Sequence, residues 1–245
     1  MGVARRSVTA VAEPTVIAVD WSGARRPQGI WLAAVRDGVV VESRPVATRE
    51  EAIDDVAGRV SPIIAGFDFS FSVPAWFATE LGCATVEQIW ARAAADGERW
   101  LHPTLPFWRA RCDVPPDRRF RRCEGRYPTA KSVFQLVGDG QVGAGSVRGM
   151  PLLESLRDAG FAIWPFDAAG PRTVLEIYPS ALRRLLPDTA ALPPQQFASN
   201  HERDAVCSAL VLWEHRHEVA CLDAARDPVT RLEGDVWAPL TPSRR

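Results

Sequence analysis

VIAVDWSGA, residues 16–24, joins an apolar run of strand length to a single acid, Asp20. The continuous apolar run that begins at Thr15 is typical of a strand covered on both faces. A carboxylate buried without a partner is costly, so an acid at the end of a core strand indicates a cation, hydrogen-bond donors or solvent beside it. The rest of the chain must therefore supply that partner.

The same pattern recurs at two later strands. SPIIAGFDFSFS (61–72) ends its apolar run at Asp68, and RTVLEIYPS (172–180) carries Glu176. Neighbouring strands of a sheet lie about 4.8 Å apart, so three such strands side by side would bring their acids together at the carboxyl ends. A long helix predicted from Ser199, with Glu202 completing a capping box, would add Asp204.

A cluster of carboxylates repels itself unless cations neutralise it. All-oxygen ligation suits Mg²⁺ or Mn²⁺, and two such ions about 3.5–4 Å apart activate water and stabilise the leaving oxygen of a phosphodiester. We expect Asp20 to bridge both ions, Asp68 and Asp204 each to complete one, and Glu176 to hold a metal or a metal-bound water. Each acid taken alone is also compatible with a turn or helix-cap role.

The remaining elements predict one α/β domain over residues 15–240. The opening is read as β-β-β, with a hairpin turn at Asp37-Gly38, followed by helices over 48–58 and 85–100, the latter opened by a capping box. Proline, glycine and arginine enrichment indicates an insertion over about 74–149, and a further helix is predicted from Met150 to Gly160. Residues 1–14 and 241–245 are expected to be flexible termini.

Composition excludes several classes of protein. The 245 residues are 47% hydrophobic and 24% charged with a net charge of -1, which gives no overall attraction to polyanions, so a nucleic-acid site must be a local patch. Five widely spaced cysteines favour reduced thiols in a cytoplasmic protein over a zinc site. No segment is apolar enough for a signal peptide or membrane span.

The insertion carries such a patch. Seven arginines and four aromatic residues alternate between Phe107 and Lys131, a combination that suits single-stranded nucleic acid. The predicted contacts are Arg118, Arg119, Arg121, Arg122 and Lys131. Pairing of these arginines with local acids such as Glu124 is the alternative. Lys131 is the chain's single lysine; it is also a candidate catalytic residue, because its compact ammonium differs from the guanidinium used elsewhere.

Three other functions remain open at this stage. DWSG (20–23) would suit the phosphate loop of an ATP-dependent phosphotransferase of the actin and sugar-kinase type, although that class needs a second domain. GDGQVG (138–143) matches a dinucleotide-binding pattern, but the helix is expected to begin too late for it. The protein could also bind nucleic acid without cutting it. Trp21 is expected in the core, and His201 shares a helix face with Asp204.

The motifs taken together resemble the DUF429 family, whose members are described as predicted nucleases with a ribonuclease H-like fold. The resemblance rests, in order, on VIAVDWSGA, GFDFSFSVP, KSVFQLVGDGQVGAGSVRGM, WPF, EIYPS, HERDAVCSA and EGDVWAP, and it covers about residues 15–239. It implies a β-β-β-α-β-α-β-α core with a mixed sheet and places the family's acids at Asp20, Asp68 and Asp204. It also implies a metal-dependent hydrolase, without fixing the substrate.

Overall fold

The structure is a computed structural model that describes residues 12–102, 114–136, 141–186 and 197–240. It confirms an α/β protein built on a six-stranded mixed sheet. Most of the two termini predicted to be flexible, residues 1–11 and 241–245, and the insertion segments 103–113 and 137–140 lie outside the described residues.

The sheet has the strand order β3-β2-β1-β4-β6-β5. The antiparallel part consists of β1, β2 and β3, and the Asp37-Gly38 hairpin joins the last two with positive φ at both residues. The predicted neighbours β1, β4 and β6 are adjacent and parallel, which confirms that their carboxyl ends share one edge. The strands are β1 (Thr15–Asp20), β2 (Ile30–Arg36), β3 (Val39–Val46), β4 (Ile63–Phe67), β5 (Ala162–Ile163) and β6 (Arg172–Glu176).

Helices cover both faces of the sheet. Thr48 caps α1, Thr85 and Gln88 form the predicted capping box of α3, and Ser199 caps α6. The helices are α1 (Arg49–Gly58), α2 (Ala75–Glu80), α3 (Val86–Trp100), α4 (Val142–Asp158), α5 (Pro179–Leu182), α6 (Asn200–Glu214), α7 (Arg216–Val219) and α8 (Pro228–Glu233), with 3₁₀ turns at Pro116–Arg119, Glu124–Arg126 and Arg183–Leu185. In the described part of the chain, no helix has the length and apolarity needed to cross a bilayer.

Alternation of side chains along the strands divides the core in two. Val19 and Phe67 point to the face covered by α1, α3 and α4, where they join one apolar cluster. Ala18 and Leu175 point to the opposite face, where they join a second cluster with α6. A residue's parity in its strand therefore decides which layer of helices its side chain meets.

The start of α4 differs from the sequence prediction. The helix begins at Val142, eight residues before Met150, and continues through Pro151. The prediction was wrong because the glycines were taken as helix breakers, whereas Gly145 and Gly149 lie inside the helix and allow close packing. A Cβ atom built on Gly149 would lie 2.6 Å from Cε2 of Phe69, and the carbonyl of Gly145 accepts a hydrogen bond of 3.1 Å from Nε1 of Trp21.

Trp21 lies in the core, as expected, with 8% of its surface exposed. Its ring stacks beside that of Phe69 with centroids 4.8 Å apart. Each of these aromatic residues directly follows one of the strand-end acids, Asp20 or Asp68. The glycine face of α4 thus packs against the two residues that adjoin the acids.

Candidate functional site: an acid pair at the sheet edge

Asp20 and Asp68 occupy equivalent positions on neighbouring parallel strands. Val19 pairs with Phe67 in the register, and the amide of Asp68 donates a hydrogen bond of 3.2 Å to the carbonyl of Val19. The two acids come one residue later, so alternation directs both toward the face that α6 covers. The register therefore places the two carboxylates side by side on one face.

His201, in the first turn of α6, contacts this pair. Its Nδ1 lies 2.7 Å from Oδ2 of the buried Asp20, whereas half of the histidine side chain is exposed. Gly29, which has a φ of +80°, lies against the other edge of the ring, and a Cβ atom there would lie 2.6 Å from Nε2. The loop between β1 and β2 and the start of α6 together fix the imidazole beside Asp20.

Asp204 lies one turn after His201 on the same helix. Its carboxylate forms an ion pair with Arg183, which follows α5. Helix α6 packs closely on the sheet, since the next residues on its inner face, Ala205 and Ser208, are buried. Arg183 was not anticipated from the sequence, where its only signal was its position shortly after the acid-bearing strand β6.

Burial and mutual repulsion perturb the acids. Burial raises the pKa of the Asp20 carboxyl, against the lowering effects of His201 and Arg183. The pKa of Asp68 lies well above its usual range, first because of desolvation and then because of the charges of Asp20 and Glu176. The pKa of His201 is raised, chiefly by its hydrogen bond to Asp20. A cation placed between the two aspartates would relieve both costs.

Glu176 lies near Asp68, in the wall of the same cavity, but it is engaged by a cation of its own. Glu176 pairs in register with Phe67 rather than with Asp68, so its side chain points toward the opposite face. Both of its oxygens accept hydrogen bonds from Arg121, and Oε2 also accepts one of 2.9 Å from the amide of Phe71. The expectation that Glu176 joins the metal-binding acids is corrected, because a one-residue offset and a buried cation direct it elsewhere.

Arg121 is the centre of a buried ion network. It is 1% exposed and donates to Glu124 (2.8 Å) as well as to Glu176, and its Nη1 reaches the backbone carbonyl of Glu233 (3.0 Å). Each of the three guanidinium nitrogens therefore has a hydrogen-bond acceptor inside the protein. The prediction that Arg121 contacts nucleic acid is therefore wrong, and the alternative of pairing with a local acid holds for it.

The other predicted nucleic-acid contacts are nearer the surface. Arg118 is exposed and lies over the ring of Trp76 (5.5 Å), Arg119 donates to the carbonyl of Val114 (2.7 Å), and the exposed Arg122 forms an ion pair with Asp227. Most of this arginine patch is thus engaged within the protein. Contact with nucleic acid remains a prediction for these three residues.

Two exposed arginines lie on the loop between β1 and β2, which begins directly after Asp20. Arg25 and Arg26 belong to the loop that carries Gly29 against His201. Neither makes a hydrogen bond or ion pair with any residue that the structure describes. Arg25 and Arg26 were not singled out from the sequence, because no local pattern shows that Gly29 of their loop packs against His201.

Lys131 is exposed at the rim of a cavity of about 230 Å³ that reaches Asp68. Tyr127, Tyr178 and Ser180 also line this cavity, and the Arg121–Glu176 ion pair forms part of its wall. The structure therefore brings Lys131 to the same cavity as one strand-end acid. Its catalytic role remains a prediction.

The carboxylates offer an incomplete metal site as they stand. Within residues 12–102, 114–136, 141–186 and 197–240, no group of three His, Cys, Asp or Glu side chains is placed to hold a metal ion. Asp20 and Asp68 supply two carboxylates, while Asp204 is engaged by Arg183. The described cysteines Cys83, Cys123, Cys207 and Cys221 are unpaired thiols, and Cys112 lies outside the described residues.

The alternative phosphate sites are less well supported by their contacts. Arg49 donates to the carbonyls of Ser22 and Ala24, and Arg148 donates to that of Gly23, so the DWSG loop is held by structural contacts. GDGQVG does lead into a helix, contrary to expectation, but the described residues before it, Ser132 to Leu136, form turns rather than a strand. The strand-turn-helix unit of a dinucleotide site is therefore missing from these described residues.

Comparisons with protein-family models, with curated proteins and with solved structures give no match. A function for this protein must therefore be inferred from the geometry of its site.

The His201–Asp20 contact predicts a pH-dependent contribution to stability. Because the folded-state pKa of His201 is raised, the contribution is complete below the unfolded value of about 6.5 and is lost as pH rises through the folded-state pKa. We expect His201→Gln to lower the free energy of unfolding at pH 6, by at most about 1 kcal/mol for this half-exposed pair, and to have less effect at pH 9. Urea unfolding in EDTA measures this.

The exposed His217 provides the matched control for that experiment. His217→Gln should lower the free energy of unfolding at pH 6 by less than His201→Gln does. An effect of His201→Gln that is the same at pH 6 and pH 9 would show that the imidazole contributes through packing rather than through its charge.

Proposed function

We propose that this protein is a metal-dependent phosphodiesterase that acts on nucleic acid and has a ribonuclease H-like architecture. The order of the elements supports the fold: three antiparallel strands and a helix precede β4, and β6 precedes α6, which packs on the sheet beside the acids. The additional strand β5 and the residues between β4 and β6 extend that core.

The observation that carries the proposal is the pairing of Asp20 with Asp68. The two carboxylates end adjacent parallel strands, share a face and have raised pKa values, largely through burial. Such an arrangement lowers the stability of the empty protein, because each negative charge disfavours the other. A site that concentrates negative charge at this cost is typical of cation binding.

The residues present fit a divalent cation held by oxygen ligands. Asp20 and Asp68 would hold it, and Asp204 would join them by exchanging Arg183 for the metal. A bound Mg²⁺ or Mn²⁺ would supply a water of lowered pKa and would offset the charge that develops on a phosphodiester. Glu176 has no part in this set, since Arg121 engages both of its oxygens.

The chain's own groups have separate roles around that centre. His201 is oriented through Nδ1 by Asp20, and its half-exposed ring can accept or release a proton at Nε2. Arg183, whose charge acts on Asp20 and Asp68, would be free to bind a phosphate oxygen once a metal replaced it at Asp204. Arg26, on the loop whose Gly29 touches His201, would contact the nucleic-acid backbone near the reacting phosphate, whereas the charge of Arg25 acts on Glu98 of α3.

A cleavage panel tests the proposal. Single-stranded DNA, duplex DNA, RNA and an RNA–DNA hybrid are incubated with Mn²⁺ or Mg²⁺, and parallel reactions contain EDTA. We expect metal-dependent cleavage by the wild type and a loss of at least about 100-fold in Asp20→Asn, which corresponds to roughly 2.7 kcal/mol of barrier.

The same panel separates the alternatives. Metal-dependent ATP hydrolysis without cleavage of any nucleic acid would favour the phosphotransferase. Binding of nucleic acid that is insensitive to metal and to Asp20→Asn, again without cleavage, would favour a binding module. Cleavage that persists at the wild-type rate in Asp20→Asn would place the reaction at another site.

A further inference from the structure

The cavity beside Asp68 has the composition of a nucleotide site. We propose that it binds one unpaired nucleotide unit, with the phosphate at Lys131 and the nucleoside against Tyr127 and Tyr178. The inference rests on the proposed function, because it places the nucleotide that adjoins the reacting phosphate in a cavity next to the acids. It names single-stranded nucleic acid as the substrate class.

The size of the cavity limits what can enter. Its volume of about 230 Å³ lies below the roughly 300–1,000 Å³ of typical small-molecule pockets. This space suits one nucleotide of a single strand and not a double helix. A paired base would have to leave its stack to enter, so single strands and chain ends are favoured over duplex.

The two tyrosines provide an aromatic wall. Their rings are half-buried and meet edge to face, with centroids 5.7 Å apart at 71°. Tyr178 is fixed by its hydroxyl, which donates a hydrogen bond of 2.6 Å to the carbonyl of Thr129. A rigid aromatic surface of this kind stacks with any base, which gives affinity without sequence preference.

The charges of the cavity leave Lys131 to bind the anion. Arg121 is hydrogen-bonded to both Glu124 and Glu176 at the wall, so its charge offsets one of these two buried negative charges. The exposed ammonium of Lys131 makes no hydrogen bond or ion pair with the described residues. Val142, the first residue of the 17-residue helix α4, lies on the same lining and brings the positive end of the helix dipole to it.

The sequence makes this cavity easy to observe. The chain contains two tyrosines, and both line the cavity. In protein labelled with ¹³C-tyrosine, Tyr127→Phe and Tyr178→Phe assign the two ring signals. Titration in EDTA with a nucleoside monophosphate, inorganic phosphate, a single-stranded trinucleotide and a short duplex then reports binding without any need for turnover.

We expect both tyrosine signals to shift saturably with the nucleoside monophosphate and with the trinucleotide, and less with phosphate or duplex. Lys131→Gln should weaken nucleotide binding about tenfold or more, whereas Arg226→Gln, which removes an exposed cation outside the cavity, should leave it within twofold. Because Lys131 is exposed, this variant is expected to fold normally.

Three results would overturn the inference: no saturable shift at millimolar nucleotide, equal affinity for inorganic phosphate and nucleotide, or unchanged affinity in Lys131→Gln. A duplex that binds as well as the trinucleotide would overturn the single-stranded assignment. Since the titration uses no metal, failure of the cleavage panel alone would refute the proposed function and leave this site standing.

Discussion

Replacing Arg121 by methionine is expected to lower the free energy of unfolding by about 3–5 kcal/mol. Arg121 is 1% exposed, and it joins the end of β6, the 3₁₀ turn at Glu124 and the end of α8. The methionine would fill much of the space but leave two buried carboxylates without their cation. Urea unfolding at pH 7 provides the measurement.

The neighbouring Arg122 gives a matched control, because its side chain is 56% exposed in its pair with Asp227. Arg122→Met should cost no more than about 1 kcal/mol. The double variant Arg121→Met with Glu176→Gln should recover part of the loss, since it removes one of the orphaned charges. Equal losses in Arg121→Met and Arg122→Met would contradict the buried network.

Manganese is expected to stabilise the wild type by about 2.7 kcal/mol at a concentration 100 times its Kd. Asp20→Asn should abolish that gain and at the same time make the metal-free protein more stable at pH 8. The sign follows from the raised pKa values of Asp20 and Asp68. The folded state holds these protons more tightly than the unfolded chain does, so ionisation costs stability as pH rises above about 4.

Thermal scans at pH 5 and pH 8, with EDTA or Mn²⁺, measure both effects. The exposed Asp54 of α1 supplies the control, and Asp54→Asn should retain the full response to Mn²⁺. If Asp20→Asn unfolds at a lower temperature than the wild type and still gains stability from Mn²⁺, Asp20 is a structural cap and not a ligand.

Much of the acid site could be predicted because strand ends are visible in sequence. The apolar runs before Asp20 and Asp68 indicated parallel core strands, and the structure places those strands side by side. Glu176 followed a similar run but belongs to the other face. A shift of one residue reverses the direction of a side chain, and register depends on strand pairing that no local pattern reveals.

Long-range packing explains the other differences. The glycines before Pro151 have low helix propensity, yet α4 forms there because Gly145 and Gly149 fit against Trp21 and Phe69. Arg121 resembled its exposed neighbours in composition, and only Glu124 three residues later indicated a local partner. Its pairing with Glu176, 55 positions away, depends on the fold as a whole.

The contact between α4 and the residues that follow the acids, Trp21 and Phe69, links the packing of that helix to the spacing of the two carboxylates. Trp21 and Phe69 pack against each other behind the sheet edge. The glycines of α4 pack directly on these two rings, with no side chain of the helix in between. This contact supports the sheet edge from the face opposite the one that α6 covers, next to the cavity that Phe69 and Val142 line. A methyl group added at Gly149 would push Phe69 away from the helix. It would thereby change the distance between the two carboxylates, and with it the size of ion they accept, without contacting either carboxylate.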